Sequence, residues 1–337
     1  MTRQPGQTIK KILIVTYHQL DLWIAPQWFA DRIRGNFPQL DVVRLTTYDG
    51  LEKELADTDI AFTLSLRPEQ FRRARRLRWI HSPAAAVHQL MFPELVHSDV
   101  IVTNARDVHG PVVAEHVLGL IFALAKKIPE AVRYQQKHVW GQEILWAELL
   151  HPREIAGATL GLVGLGSIGT NVANRGFAMG MRVIAVREHP EKEKPEYIEE
   201  VLPSSRLDDL LARSDYVVLS PPLTPATTRM ISREQFSKMK PSACLINVGR
   251  GPLIDEADLV EALRERRIAA AALDVFEQEP LPRDSPLWDL ANLLITPHIA
   301  GMTEKLWERH YALFSENLRR FLSGQPMLAV VDKQRGY

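Results

Sequence analysis

Short runs of largely apolar residues recur along the chain, separated by longer segments in which polar and apolar residues mix. In the first third they lie at 11–16, 41–45, 60–64, 78–81 and 100–103. Runs of this length favour buried strands, and the mixed segments between them favour helices. Regular alternation of strand and helix predicts an α/β fold built on a parallel sheet.

The alternation pauses at an apolar helix predicted from about Pro111, where proline suits the first turn. It then resumes with strands expected at 159–163, 181–186, 216–220, 243–248, 270–275 and 293–296. The segment 303–322 is predicted to be an amphipathic helix with too few partners of its own, so we expect it to pack on the first part of the chain.

Two doubly wound parallel-sheet domains follow from this order. We predict a Rossmann cofactor domain over residues 105–298. Residues 1–104 and 299–337 are predicted to form a smaller, flavodoxin-like substrate domain. A length of 337 residues is sufficient for two domains with cores of their own.

A glycine-rich turn follows the strand at 159–163, with the sequence Gly164-Leu165-Gly166-Ser167-Ile168-Gly169. This is G-x-G-x-x-G between a strand and a helix that we expect to begin near Thr170. In such a turn the first glycine bends the chain, the second lets the backbone approach a pyrophosphate, and the third lets the helix pack on the strand. The N–H groups at the helix start would face the anion. A plain tight turn is the alternative.

The residue at the end of the next strand decides which nucleotide such a turn favours. An acidic side chain there would bind the adenosine ribose, whereas this chain has Arg187 followed by Glu188, with Lys192 and Lys194 nearby. A guanidinium can hold a phosphate through two parallel hydrogen bonds. We therefore expect NADP to be preferred over NAD, the alternative being an exposed arginine with no preference.

Three further segments contain side chains that could take part in a reaction, and each segment is associated with an apolar run. They contain Arg250 between two glycines, Asp274 near the end of the run at 270–275 with Glu279 after it, and His298 after the run at 293–296. Carboxyl ends of parallel strands meet at the ligand-binding edge of the sheet. This set suits the reduction of a carbonyl acid. The arginine could bind the acid, the imidazole could supply a proton, and a carboxylate could orient the imidazole.

Composition excludes several other functions. Lys plus Arg and Asp plus Glu both number 41, and this formal charge of zero argues against a general binder of nucleic acid or anionic membranes. The eleven histidines are scattered without ligand spacing, so no metal site is predicted. Residues 1–11 lack the apolar core of a secretory signal, and the apolar helix is too short to span a bilayer. We expect a cytoplasmic protein.

These segments, in this order and spacing, resemble the D-isomer-specific 2-hydroxyacid dehydrogenase family over nearly the whole chain. Within the family, the chain is similar to the glyoxylate and hydroxypyruvate reductase branch. The resemblance implies that Arg250 binds the carboxylate and keto oxygen of a 2-keto acid and that His298 protonates that oxygen. It implies that Glu279 favours the protonated form of His298. Asp274 would orient the nicotinamide carboxamide, and the N–H groups of Ala86 and Val87 would bind the substrate carboxylate.

The predicted cofactor contacts combine the glycine turn with the ends of the later strands. They are Gly164, Gly166, Ser167, Ile168, Gly169, Arg187, Pro221, Pro222, Val248, Gly249, Arg250, Asp274 and His298. The substrate loop departs from the family, because Ala86-Val87-His88 stands where Gly-Val-Asp is common and residues 82–86 contain no glycine. That departure puts the identity of the substrate in doubt.

Two other functions share this fold. A cofactor-sensing binding protein similar to the C-terminal-binding-protein corepressors is the main alternative, since fold alone does not exclude it. Formate oxidation is disfavoured by Glu279, where that branch has an amide. The resemblance also implies a homodimer, and the apolar helix 112–125 with Trp140 and Trp146 could supply its contact, the alternative being that these side chains fill the core.

Overall fold

The computed structural model describes residues 9–18, 20–147 and 151–336, so most of the polar N-terminal stretch lies outside the described residues. It divides into two compact units. One comprises Met1–His109 and Met302–Tyr337, and the other Gly110–Gly301. The predicted boundaries at 104/105 and 298/299 therefore shift by a few residues. On the first side the reason is that Ala105 and Val108 pack against Leu306.

The first unit is built on a five-stranded parallel sheet in the order β2-β1-β3-β4-β5, the flavodoxin-like arrangement. Its strands are β1 (Lys11–Val15), β2 (Asp41–Leu45), β3 (Ile60–Thr63), β4 (Trp79–Ser82) and β5 (Ile101–Asn104). Its helices are α1 (Gln27–Asn36), α2 (Leu51–Leu55), α3 (Pro68–Arg73), α4 (Pro93–Val96) and α12 (Leu306–Ser323). Trp307, Phe314 and Leu318 of α12 pack in one core with Phe29 and Phe62.

The second unit has a seven-stranded parallel sheet in the order β12-β11-β10-β9-β6-β7-β8. Its strands are β6 (Thr159–Val163), β7 (Arg182–Arg187), β8 (Glu200–Pro203), β9 (Tyr216–Leu219), β10 (Cys244–Asn247), β11 (Ala270–Leu273) and β12 (Leu293–Ile295). Its helices are α5 (Gly110–Ala125), α6 (Ile128–Gln136), α7 (Gln142–Ala147), α8 (Ser167–Ala178), α9 (Leu207–Arg213), α10 (Arg233–Lys238) and α11 (Glu256–Arg264). The order reverses at β6, so the carboxyl ends of β6 and β9 form a topological switch point. The predicted fold class is confirmed.

Two details of the sequence prediction are corrected by the structure. Strand β8 was not predicted, because Val201 and Leu202 stand alone between Glu200 and Pro203 in an edge strand that pairs with β7 alone. Helix α8 begins at Ser167 rather than near Thr170, since Gly166 is its N-cap. Most apolar side chains of helix α5, which was expected either to supply a dimer contact or to fill the core, lie in the core, with Phe122 a partly exposed exception. The dimer itself stays a prediction.

None of the helices within the described ranges is long and apolar enough to cross a membrane. Within the same ranges no group of three or more His, Cys, Asp or Glu side chains is placed to hold a metal ion.

The first unit buries an uncharged histidine in its core. His81 is fully buried and stacks on Phe62 with ring centroids 5.1 Å apart. Its Nδ1 lies 2.8 Å from Thr103 Oγ1, while its Nε2 has no hydrogen-bond partner. Desolvation lowers the pKa of His81 to about 3, because burial penalises the charged ring.

This buried ring predicts a loss of stability in mild acid. The unfolded chain binds a proton near the ordinary pKa of 6.5 and the folded chain does not until about 3, so stability falls as the pH drops through that window. Between about pH 7.5 and about pH 5 the free energy of unfolding should fall by about 2 kcal/mol from this residue. Urea unfolding followed by tryptophan fluorescence at both pH values measures it. In His81→Phe the pH dependence should shrink by that amount, and an unchanged dependence would contradict the prediction.

Candidate active site

The glycine turn has the shape that a pyrophosphate needs. Gly164 has a φ of +97°, and a Cβ at Gly169 would stand 2.1 Å from the carbonyl oxygen of Gly164. Neither position accommodates a side chain without moving the turn. A Cβ at Gly166 would meet nothing within 4 Å, so neither φ nor a neighbour explains glycine there. Close approach of a ligand to the backbone does explain it.

The start of α8 completes this cradle. No side chain caps the helix, and the N–H groups of Ser167, Ile168 and Gly169 have no partner within the helix. Uncapped N–H groups and the positive end of the helix dipole bind anions. The residues present therefore fit the diphosphate of a dinucleotide.

The neighbouring strand ends bring the other predicted nucleotide contacts to the same edge. A Cβ on Gly164 would lie 2.8 Å from the nitrogen of Pro221, so the segment after β9 lies against the turn. The carbonyl of Pro222 accepts from Thr227 Oγ1 at 2.7 Å. Val248 is buried directly after β10, and Gly249 follows it.

Arg187 ends β7 and folds over the loop that follows. Its Nη2 donates to the backbone carbonyls of Pro190 and Glu193 at 3.4 and 3.3 Å, and to that of Lys192. Its Nε is buried without a partner. No described carboxylate forms an ion pair with it, so its positive charge is not neutralised by a side chain. The Lys194 ammonium donates to the carbonyl of Ile198 instead.

His298 and Glu279 form a hydrogen-bonded pair. His298 Nδ1 lies 2.6 Å from Glu279 Oε2, and Glu279 Oε1 accepts from the N–H of Phe276 at 3.0 Å. About half of the His298 side chain is exposed, and its Nε2 bonds to nothing in the described parts of the chain. A carboxylate on Nδ1 holds a proton there and turns Nε2 outward, which is the arrangement of an imidazole acid or base.

Asp274 holds the backbone of this histidine. His298 has a left-handed φ of +54°, uncommon for a residue other than glycine. Its N–H donates to the carbonyl of Asp274 at 2.9 Å. The Asp274 side chain accepts from the next two N–H groups, with Ile299 on Oδ1 at 2.9 Å and Ala300 on Oδ2 at 3.0 Å. Asp274 is buried and so fixes the turn that carries the imidazole.

Arg250 is a half-buried cation without a carboxylate partner. Its Nη1 donates to the carbonyl of Gly249 at 2.6 Å, and among the described residues no acidic oxygen forms an ion pair with it. Burial lowers the pKa of the guanidinium, opposed by the negative charge of Glu279. Arginine nonetheless remains charged in proteins. An unpaired, partly desolvated guanidinium is a ready binding group for a carboxylate.

The segments carrying Arg250 and Glu279 touch through their main chains. A Cβ at Gly251 would stand 1.9 Å from the carbonyl carbon of Phe276 and 2.3 Å from the nitrogen of Glu277. Only glycine allows this approach. The arginine and the carboxylate are thereby held beside each other.

Sequence reasoning assigned no role to Asn247, the last residue of β10. Its buried side chain donates from Nδ2 to the carbonyl of Arg250 at 3.0 Å and accepts from the N–H of Gly249, also at 3.0 Å. It shapes the turn on which Arg250 stands. A polar amide at the end of an otherwise apolar strand was the available signal.

Ala86 and Val87 belong to the first unit, in the loop after β4. This loop is tied to β5, because Asn104 Nδ2 donates to the carbonyl of Ala85 at 2.7 Å. None of residues 82–88 has a positive φ, so the alanines there are unstrained. The N–H groups of Ala86 and Val87 donate to no acceptor in the described structure.

Comparison with known proteins gives one family. A model described as "D-isomer specific 2-hydroxyacid dehydrogenase, NAD binding domain" matches residues 118–300. The chain is 34% identical over 306 residues to a D-3-phosphoglycerate dehydrogenase of Methanocaldococcus jannaschii, spanning 90% of this chain and 57% of that protein. It is 36% identical over 305 residues to glyoxylate/hydroxypyruvate reductase B of Pectobacterium atrosepticum, spanning 88% of this chain and 90% of that one.

Solved structures agree. The crystal structure of an NADPH-dependent glyoxylate/hydroxypyruvate reductase from Sinorhizobium meliloti, in complex with NADP and sulfate, matches with a TM-score of 0.80 and 28% identity. That match covers 97% of this chain and 100% of the other. The chain is an NAD(P)-dependent oxidoreductase that belongs to the D-isomer specific 2-hydroxyacid dehydrogenase family.

Proposed function

We propose that the protein reduces a small 2-keto acid of the glyoxylate or hydroxypyruvate type to the corresponding 2-hydroxy acid, with the D-configuration where the product is chiral. The observation that carries this is the pairing of a carboxylate-bound imidazole with an unneutralised guanidinium at one edge of the second unit's sheet. The reductase names of the relatives support it. No feature favours the corepressor-type alternative.

Each residue of the site then has its own role in the proposed reaction. A bound reduced nicotinamide supplies the hydride for the carbonyl carbon. Arg250 binds the substrate carboxylate and polarises the keto oxygen. His298, with Glu279 on Nδ1, delivers a proton from Nε2 to that oxygen. The N–H groups of Ala86 and Val87, which have no acceptor among the described residues, are proposed as donors to a carboxylate.

A panel of keto acids tests the function. When purified protein is mixed with NADPH or NADH and glyoxylate, hydroxypyruvate or phenylpyruvate, the absorbance of the reduced nicotinamide should fall. Turnover with at least one of them is the expected result, and chiral analysis of the product from hydroxypyruvate or phenylpyruvate should show the D-isomer. Tight cofactor binding without turnover of any 2-keto acid would instead favour the binding-protein alternative.

The predicted preference for NADP rests on Arg187. Its guanidinium forms no ion pair with an acidic side chain in the described ranges and stands at the end of β7, where the ribose of the nucleotide binds in this fold. Arg187→Ala should lower kcat/KM for NADPH by about 10- to 100-fold, the contribution of one charged hydrogen bond, while kcat/KM for NADH changes little.

Arg182→Ala is the matched control for this experiment. Arg182 begins the same strand, is exposed, and pairs with Glu199 at 2.7 Å. It should leave the NADPH to NADH ratio unchanged. A wild-type protein that uses NADH as well as NADPH would refute the preference.

We also propose a homodimer that uses an exposed apolar surface on α6 and α7. Its large apolar side chains are Ile128 and Val132 on α6, Trp140 between the helices, and Ile144 and Trp146 on α7, with Trp140 89% exposed. Exposed large apolar side chains grouped along one segment of a chain are candidates for such a contact. Light scattering should give the mass of two chains, and Trp140→Asp should weaken the association. A monomer mass for the wild type at micromolar concentration would exclude this dimer.

A further inference from the structure

Helix α5 sends one polar side chain to the turn that carries His298. His116 Nε2 lies 3.1 Å from Thr296 Oγ1 and 3.6 Å from Asp274 Oδ1. The His116 side chain is 20% exposed and that of Asp274 only 2%. None of these groups was needed to describe proton transfer or carboxylate binding, apart from the backbone role of Asp274.

The hydrogen bonds have one consistent direction. Thr296 has a single hydroxyl proton, and the 2.6 Å contact with the Asp274 carboxylate uses it, because a carboxylate only accepts. The threonine oxygen must then accept from His116 Nε2–H. Burial lowers the pKa of His116, opposed by the charge of Asp274, so the ring is neutral near pH 7 with its proton on Nε2.

This chain of donors fixes the Asp274 carboxylate. With Oδ1 held by Thr296 and Ile299 and Oδ2 by Ala300, the carboxylate has one orientation. Its main-chain carbonyl receives the N–H of His298. A left-handed residue persists only where its surroundings determine it, and these contacts are such surroundings.

We propose that His116 and Thr296 are positioning residues, which act through Asp274 to hold the His298 imidazole in place for catalysis. This inference rests on the proposed reductase function. Loss of the Thr296 hydroxyl should affect the reaction and the 296–300 turn but leave the fold unchanged. This expectation distinguishes a positioning role from a purely structural one.

Thr296→Val removes the hydroxyl and keeps the shape, and Thr296→Ser keeps the hydroxyl. The valine variant should lose about 10- to 100-fold in kcat, since misplacement of a catalytic group by about 1 Å costs this much. KM for the keto acid and Kd for NADPH should stay within about threefold, because Arg250 and the glycine turn are untouched. The serine variant should recover most of the turnover. His116→Gln, which keeps a donor, should likewise exceed His116→Ala.

Amide hydrogen exchange gives a readout that is independent of activity. In Thr296→Val the amides of residues 298–300 should exchange faster by about tenfold or more, with no change in β6 or β10. Unchanged exchange, or faster exchange with normal kcat, would overturn the inference. If the 298–300 amides exchange faster in Thr296→Val but the wild-type protein reduces no keto acid, the positioning of the turn is supported. Only the proposed function is then contradicted.

Discussion

His298→Asn is expected to lower kcat for keto-acid reduction by about 10²- to 10⁴-fold, the range contributed by a positioned proton donor. Asparagine tolerates the left-handed backbone at this position, so the loss reports the imidazole and not the turn. Cofactor affinity should survive, because the glycine turn is intact. Steady-state kinetics and a fluorescence titration with NADPH measure the two quantities.

The control for this prediction is a second exposed histidine. His97→Asn removes an imidazole whose Nδ1 contacts the carbonyl of Pro93, far along the chain from the candidate site. It should keep the turnover of the wild type. Near-normal kcat in His298→Asn would show that another group, or water, protonates the substrate.

Arg250→Met should lower kcat/KM for the keto acid by about 10²- to 10⁴-fold, the value of two charged hydrogen bonds to a carboxylate. The same change should leave stability unaltered or improved, because a half-buried guanidinium without a carboxylate partner is costly to desolvate. Opposite effects on activity and stability are the signature of a residue kept for function. Kinetics and thermal unfolding of one preparation test both.

Arg250→Lys separates charge from geometry, since lysine keeps the cation but not the planar fork. We expect an intermediate loss. Arg233→Met is the matched control, because Arg233 is exposed and pairs with Glu261 on the surface. It should affect neither measurement. A marked fall in stability of Arg250→Met would indicate that the guanidinium serves the fold.

Much of the fold was predictable because fully buried parallel strands are nearly uniform in their apolarity. The strands Asp41–Leu45 and Thr159–Val163 have the predicted bounds, and the other predicted strands differ by one or two residues at an end. The edge strand β8 was missed, since only one of its sides pairs and its residues are partly exposed. Helix α8 was predicted three residues late, because serine and glycine carry little helical signal.

The candidate site divides in the same way. Arg250, Glu279 and His298 were proposed because their residue types follow apolar runs. The structure places Glu279 against His298, and the charge of Glu279 opposes the lowering of the Arg250 pKa by burial. Their catalytic roles remain predictions. The contact of His116 with Thr296 joins residues 180 positions apart, and no local periodicity reports such a pair. That Arg250 has no carboxylate partner among the described residues is equally invisible in a linear pattern.

The main-chain contact at Gly251 limits how this protein could be re-engineered. Since the backbone at residues 276 and 277 occupies the place of any side chain at 251, an insertion or a bulkier residue in either loop would push both out of register. Libraries for altered selectivity should keep 249–252 and 275–278 constant. Diversity placed there would yield mainly misfolded or inert clones, whatever the intended product.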